Sequence, residues 1–97
     1  MSEPDLFRRG MATRRAVLGD GHVDGAETAK TAFDADFQEF ITEGAWGAVW
    51  SRPGLSLRER SLITIALLAA AGHDEEVAMH IKATANTGAT ADDIKEA

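Results

Sequence analysis

Ninety-seven residues make room for one domain, since two independent cores need roughly 200. Sixteen Asp and Glu against ten Lys and Arg give a net charge of −6, which excludes broad nucleic-acid binding and docking on anionic lipid, both of which need a basic face. The absence of Cys excludes disulfide stapling, thiol redox chemistry and a cysteine nucleophile, and is compatible with the cytoplasm.

The pattern is helical nearly throughout. Ser2 precedes Glu3, Pro4 and Asp5, a helix start with a cap, early acids and Pro where no N–H is needed. Leu6, Met11, Val17 and Leu18 continue that helix, Gly10 weakens its middle, and Gly19-Asp20-Gly21 ends it. Leu6 and Phe7 are too few large apolar residues for a signal-peptide core. His22 to Lys30 reads as one or two helical turns. Phe33, Phe37, Phe40 and Ile41 share one helical face, an aromatic stripe expected in the core. Gly44 is expected to break or bend this helix before Trp46 and Trp50, and Ser51-Arg52-Pro53-Gly54 is a loop.

Ser56 and Glu59 form a capping box for a helix from Leu57 to about Ala71. From Leu62 that helix is apolar on every side except at Thr64, so it should be central or covered by another subunit. Its uninterrupted apolar run, Ile65 to Gly72, is far shorter than the roughly 20 residues of a membrane span. Asp74 caps a helix ending near Thr87, and Thr90 with Asp93 starts a last one at Ala91. A chain this short buries only about 60–65% of its unfolded surface. With 44% hydrophobic residues and no staple, association between copies is expected.

The chemistry-bearing residues leave three readings open. His73, Glu76 and His80 can line one helical stripe. They form an ordinary surface pair beside a loop histidine, a metal site of two His and one carboxylate, or a proton-transfer site. Seven residues is long for two ligands of one metal on a helix, which usually sit about four apart. Arg14, Arg15, Arg52, Arg58 and Arg60 are either solvated charges or local anion-binding groups. Glu59 can serve the capping box alone.

Gly10-Met11-Ala12 with Arg14-Arg15-Ala16-Val17-Leu18-Gly19-Asp20 resembles the opening of the 4-carboxymuconolactone decarboxylase family. So do Ala45-Trp46-Gly47 with Trp50, then Arg52-Pro53-Gly54-Leu55, Arg60-Ser61-Leu62, and the stretch from Gly72 to His80. The resemblance implies an all-α, small multi-helix domain of the alkylhydroperoxidase-D-like type, spanning 1–97 and assembling as a homo-oligomer, a trimer or hexamer. Relatives of that fold carry Cys-x-x-Cys-x-x-x-His. His73 and Glu76 stand at the matching Cys positions before His80, so peroxidase chemistry by that route is excluded. Family members continue beyond the equivalent of Ala97, so the domain is expected to lack its C-terminal helices.

The implied activity is that of a cytoplasmic carboxy-lyase. It converts 4-carboxymuconolactone, a dianionic lactone, to 3-oxoadipate enol-lactone in protocatechuate (β-ketoadipate) catabolism. Neither cofactor nor metal is expected, because the substrate is its own electron sink. The resemblance favours Glu59 and His80 as catalytic, with His73 as a second polar wall residue. Arg15, Arg52 and Trp46 are the expected substrate contacts. The alternative is a catalytically silent, truncated helical oligomerisation module.

Overall fold

The computed structural model describes residues 3–97, with side chains from Asp5 onward; the expected cap Ser2 lies outside them. The elements are α1 (Glu3–Leu18), α2 (Asp20–Ala29), α3 (Ala35–Ile41), a π-helical segment (Thr42–Trp50), α4 (Leu57–Ala71), α5 (Asp74–Thr87) and α6 (Ala91–Glu96). No strand occurs among the described residues, so the fold is all-α as expected. The elements group into two compact units, one ending at Pro53 and one running from Gly54 to Ala97.

In the first unit, α1 packs along the π-helical segment, with α2 and α3 beside them. Backbone lies on backbone at this crossing. A Cβ on Gly10 would run into the carbonyl oxygen of Thr42, and one on Gly47 would sit 2.6 Å from the carbonyl oxygen of Leu6. Gly10 therefore admits a close neighbour in mid-helix, where the sequence alone showed only a weak point. Val17, Val23, Trp46 and Trp50 are the buried apolar side chains among the described residues of this unit. The two indoles stack with centroids 4.9 Å apart at 37°.

Three expectations fail in this unit. The stretch after Gly19 is a ten-residue helix with Val23 buried, longer than the turn or two expected. Gly44 does not break the chain; α3 widens at Thr42 and runs on as a π-helix. The aromatic stripe is not core: Phe33, Phe37 and Phe40 are 97%, 60% and 71% exposed. The periodicity identified an apolar face correctly, but α3 meets α1 through Gln38 instead.

In the second unit, α4 and α5 pack as an antiparallel pair joined by a tight turn. Ser56 and Glu59 form the expected capping box. Gly72, at φ 79°, ends α4: its N–H reaches the Ala69 carbonyl at 3.2 Å and the His73 N–H reaches the Leu68 carbonyl at 3.0 Å. That paired closure needs the left-handed backbone glycine adopts freely. Asp74 is the first residue of α5, and the cap position belongs to His73, without a side-chain bond. The buried Ser61 hydroxyl donates to Thr87 Oγ1 at 2.7 Å, tying the start of α4 to the end of α5. Thr90 and Asp93 form a second capping box, at α6. The Asp93 carboxylate also accepts both prongs of Arg58, at 2.6 and 2.8 Å, which holds α6 on α4.

The α4 helix is not enclosed on all sides. Ser61 and Ile65 are buried, whereas Ile63 and Leu67 face outward. Of the two placements its composition allowed, central or covered by another subunit, the central one does not hold.

Candidate active site

Three nominated residues belong to the second unit. His80 lies mid-way along α5 and is 6% exposed, on the same buried side as Ala83, Thr84 and Thr87. His73 stands in the turn before α5, exposed, and Glu76 is exposed in the first turn. The predicted stripe of His73, Glu76 and His80 is therefore split between solvent and interior. Among the described residues no group of three His, Asp or Glu is arranged to hold a metal ion.

Glu59 is exposed at the start of α4. Its Oε1 accepts from the Ser56 N–H at 2.9 Å, and its own N–H donates to Ser56 Oγ at 3.0 Å. These bonds to Ser56, with Arg58 and Arg60 beside it in sequence, hold the carboxyl below the ordinary glutamate range, so it is ionised at neutral pH. Within one chain Glu59 does not reach His80. Ser61 is level with Thr87, so at about 1.5 Å per residue His80 lies roughly 10 Å down the pair and Glu59 about 3 Å the other way.

The other three residues belong to the first unit. Arg15 is engaged twice over, its Nη1 lying 3.1 Å from Asp20 and 2.9 Å from Asp24. These hydrogen bonds raise its pKa further and leave its charge locally compensated. Arg52 is exposed in the loop after the π-helical segment. Trp46 is buried within that segment, against Trp50.

The sequence grouped Arg14 with four other arginines as solvated charges or anion-binding groups and did not nominate it for the site, yet Arg14 is a buried cation, 5% exposed. It donates from Nη1 to Thr42 Oγ1 at 3.3 Å and from Nη2 to Gln38 Oε1 at 3.1 Å, both neutral partners. Burial pushes its pKa down, opposed through space by Glu27. The available signal was spacing: Arg14 lies one turn past Gly10, hence on the face that meets the π-helical segment.

A cavity of about 200 Å³ opens in this unit, lined in part by Phe7, Glu27, Lys30, Asp36, Gln38 and Glu39. Its one cation, Lys30, pairs with Glu27 at 2.9 Å. Three carboxylates make it a poor receptor for a dianion, and none of the six nominated residues lines it.

Residues 35–97 match the model of the "Carboxymuconolactone decarboxylase family". Over 96 residues the chain is 45% identical to a 4-carboxymuconolactone decarboxylase of Acinetobacter baylyi, covering 99% of this chain and 72% of that protein. It is 41% identical over 92 residues to nitrosuccinic acid decarboxylase of Metarhizium robertsii, covering 95% of this chain and 64% of that protein. A 4-carboxymuconolactone decarboxylase sequence of Pseudomonas putida is 47% identical over 47 residues, 48% of this chain and 98% of that sequence. No solved structure matches.

Proposed function

The chain belongs to the carboxymuconolactone decarboxylase family, and from that premise we propose that it removes CO₂ from 4-carboxymuconolactone to give 3-oxoadipate enol-lactone. The observation that carries this reading is the 45% identity to a named 4-carboxymuconolactone decarboxylase across 99% of the chain. The nitrosuccinic acid relative supports the broader reaction class, loss of CO₂ from an acid.

The chemistry sets what the protein must provide. The bond from the ring γ-carbon to its carboxylate breaks, and its electron pair moves into conjugation with the lactone carbonyl as a dienolate. A proton is then added at the carbon α to the carbonyl, leaving the double bond between the β and γ carbons. The lactone carbonyl accepts the electrons, so the reaction itself calls for no metal or organic cofactor. The protein has to hold two carboxylates, stabilise the charge arriving on the lactone oxygen and deliver one proton.

His80 is the proton donor in this scheme, and its burial favours a site from which bulk water is excluded. His73 is an exposed polar wall residue. Arg52 and Arg15 attract the carboxylates, Arg15 with its charge already shared by Asp20 and Asp24. Trp46 supplies an apolar wall. Glu59, ionised in its cap, contributes charge to His80 only if a second copy brings the two together.

The protein works as a homo-oligomer, a trimer or hexamer, in the cytoplasm. The exposed Phe33, Phe37 and Phe40 on α3, and Ile63 and Leu67 on α4, support association, since each is apolar surface left wet in a single copy. The test is incubation with 4-carboxymuconolactone while the ultraviolet signature of the enol-lactone is followed. His80→Gln should lower turnover by about 10²–10⁴ with the fold kept. Equal turnover in a folded His80→Gln variant removes His80 from the mechanism.

A further inference from the structure

We propose that Arg14 is a positioning residue for the reaction: from α1 it fixes the point at which α3 widens into the π-helical segment, and so sets the placement of the Trp46–Trp50 pair. This rests on Trp46 forming a wall of the site proposed above.

The π-helical segment runs for nine residues, Thr42 to Trp50, whereas π-helix normally occurs as single-turn bulges, often at functional sites. A stretch so long needs outside support, and α1 supplies it at both ends. At the start, the Thr42 hydroxyl donates to the Gln38 carbonyl at 2.8 Å. A bond of this kind competes with the regular helix ladder and bends it. Arg14 grips the same turn with both prongs, Nη1 on Thr42 Oγ1 and Nη2 on Gln38 Oε1. At the far end, the Ser51 hydroxyl lies 2.6 Å from the Trp46 carbonyl and 2.7 Å from the Thr13 hydroxyl. Thr13 and Arg14, adjacent on α1, thus bracket the segment that carries both indoles.

Stability does not explain why this residue is an arginine. Arg14 is 5% exposed, its Nε is buried without a hydrogen-bond partner, and among the described residues it pairs with no carboxylate. A buried charge whose hydrogen-bond partners are all neutral is costly even with Glu27 acting on it through space, and an apolar residue of similar length would avoid that cost. What the guanidinium adds is a rigid fork spanning two acceptors one helical turn apart, which neither Met nor Lys reproduces.

The protein has two Trp and no Tyr, so its near-ultraviolet circular dichroism above about 285 nm reports the Trp46–Trp50 pair alone. Arg14→Met in the full chain should keep the far-ultraviolet helix signal but change this Trp signal. It should also lower kcat/KM for the lactone by about ten- to a hundredfold, within the roughly hundredfold loss that a displacement near 1 Å in a site can cause. Thr42→Val, which keeps shape and removes the hydroxyl, should change the Trp signal in the same direction. Arg14→Lys should not restore it. An unchanged Trp signal in folded Arg14→Met overturns the proposal. If Arg14→Met does not fold, an unchanged Trp signal in Thr42→Val overturns it instead. A changed Trp signal with an unchanged rate overturns the link to the reaction. A parent protein that leaves the lactone untouched refutes the decarboxylase reading, and the Trp spectra still decide whether Arg14 sets the indole pair.

Discussion

Gly10→Ala is the perturbation that most directly probes the crossing of α1 over the π-helical segment. In an ordinary helix this change stabilises, by about 1 kcal/mol, because Ala loses less backbone freedom than Gly. Here the new methyl meets the Thr42 carbonyl oxygen and lies 2.8 Å from the Gly47 nitrogen. Both are backbone atoms and cannot rotate away, so the helices must separate by on the order of 1 Å to restore ordinary contact. That separation stretches the 3.3 Å Arg14–Thr42 bond and the 2.7 Å Thr13–Ser51 bond. Overpacking of this kind costs about 1–3 kcal/mol and each hydrogen bond about 0.5–1.5 kcal/mol. Set against the propensity gain of about 1 kcal/mol, a net loss of about 1–5 kcal/mol remains. At roughly 4–8 °C per kcal/mol for a domain of this size, Tm should fall by at least about 4 °C. Gly25→Ala is the control: Gly25 lies within α2 with nothing within 4 Å of the added methyl. It should leave Tm unchanged or raise it. The assay is a pair of far-ultraviolet thermal melts, and Gly10→Ala melting at or above Gly25→Ala would refute the close crossing.

Ser61→Ala should cost about 1–3 kcal/mol, because the buried Thr87 hydroxyl loses its donor; Ser61→Ala with Thr87→Val should recover part of that loss in urea melts. The Asp93 carboxyl is held well below the ordinary range, first by the Arg58 fork and then by the Thr90 N–H. A lowered folded-state pKa means the stability this tie contributes is fully present above the unfolded value near 3.9 and is lost progressively as pH falls from there through the lower folded value. Amide protection factors in α6, corrected for the intrinsic exchange rate at each pH, should therefore fall progressively below about pH 4, and Asp93→Asn should show the same loosening at pH 7. Glu59→Gln should keep stability within about 1 kcal/mol, since the amide can accept the same cap bond, and a tenfold slower rate beside an unchanged melt would show that the charge is used. Replacing Phe33, Phe37 and Phe40 together by Ser should weaken assembly in light scattering; an unchanged particle mass would show that α3 is not an interface.

The sequence made the second unit readable because its signals are local. Ser56 with Glu59, Gly72, Gly88, and Thr90 with Asp93 each fix a helix end through atoms a few residues apart, and each lies where expected. The first unit was less legible because its decisive contacts are long-range. Nothing near Gly10 shows that Thr42 will press against it, and nothing in the Gly44 stretch announces a π-helix held by Thr13, Arg14 and Ser51. The Phe stripe failed differently. Periodicity locates an apolar face but does not say whether its partner is the same chain or another, and here α3 turns Gln38 toward α1. Among the nominated site residues, His80 and Trp46 are buried, which their spacing alone did not show. Arg15 outranked Arg14 in the sequence because burial and the Asp20 and Asp24 contacts depend on where α2 returns.

The central claim is that this chain breaks the carbon–carboxylate bond of 4-carboxymuconolactone by itself. The most direct measurement supplies the lactone labelled in its ring carboxylate to dialysed protein in the presence of a chelator. Labelled CO₂ and enol-lactone are then counted together. One CO₂ released per enol-lactone formed, at a rate proportional to protein, is the predicted result. Intact lactone after incubation with protein that is folded by circular dichroism would contradict it.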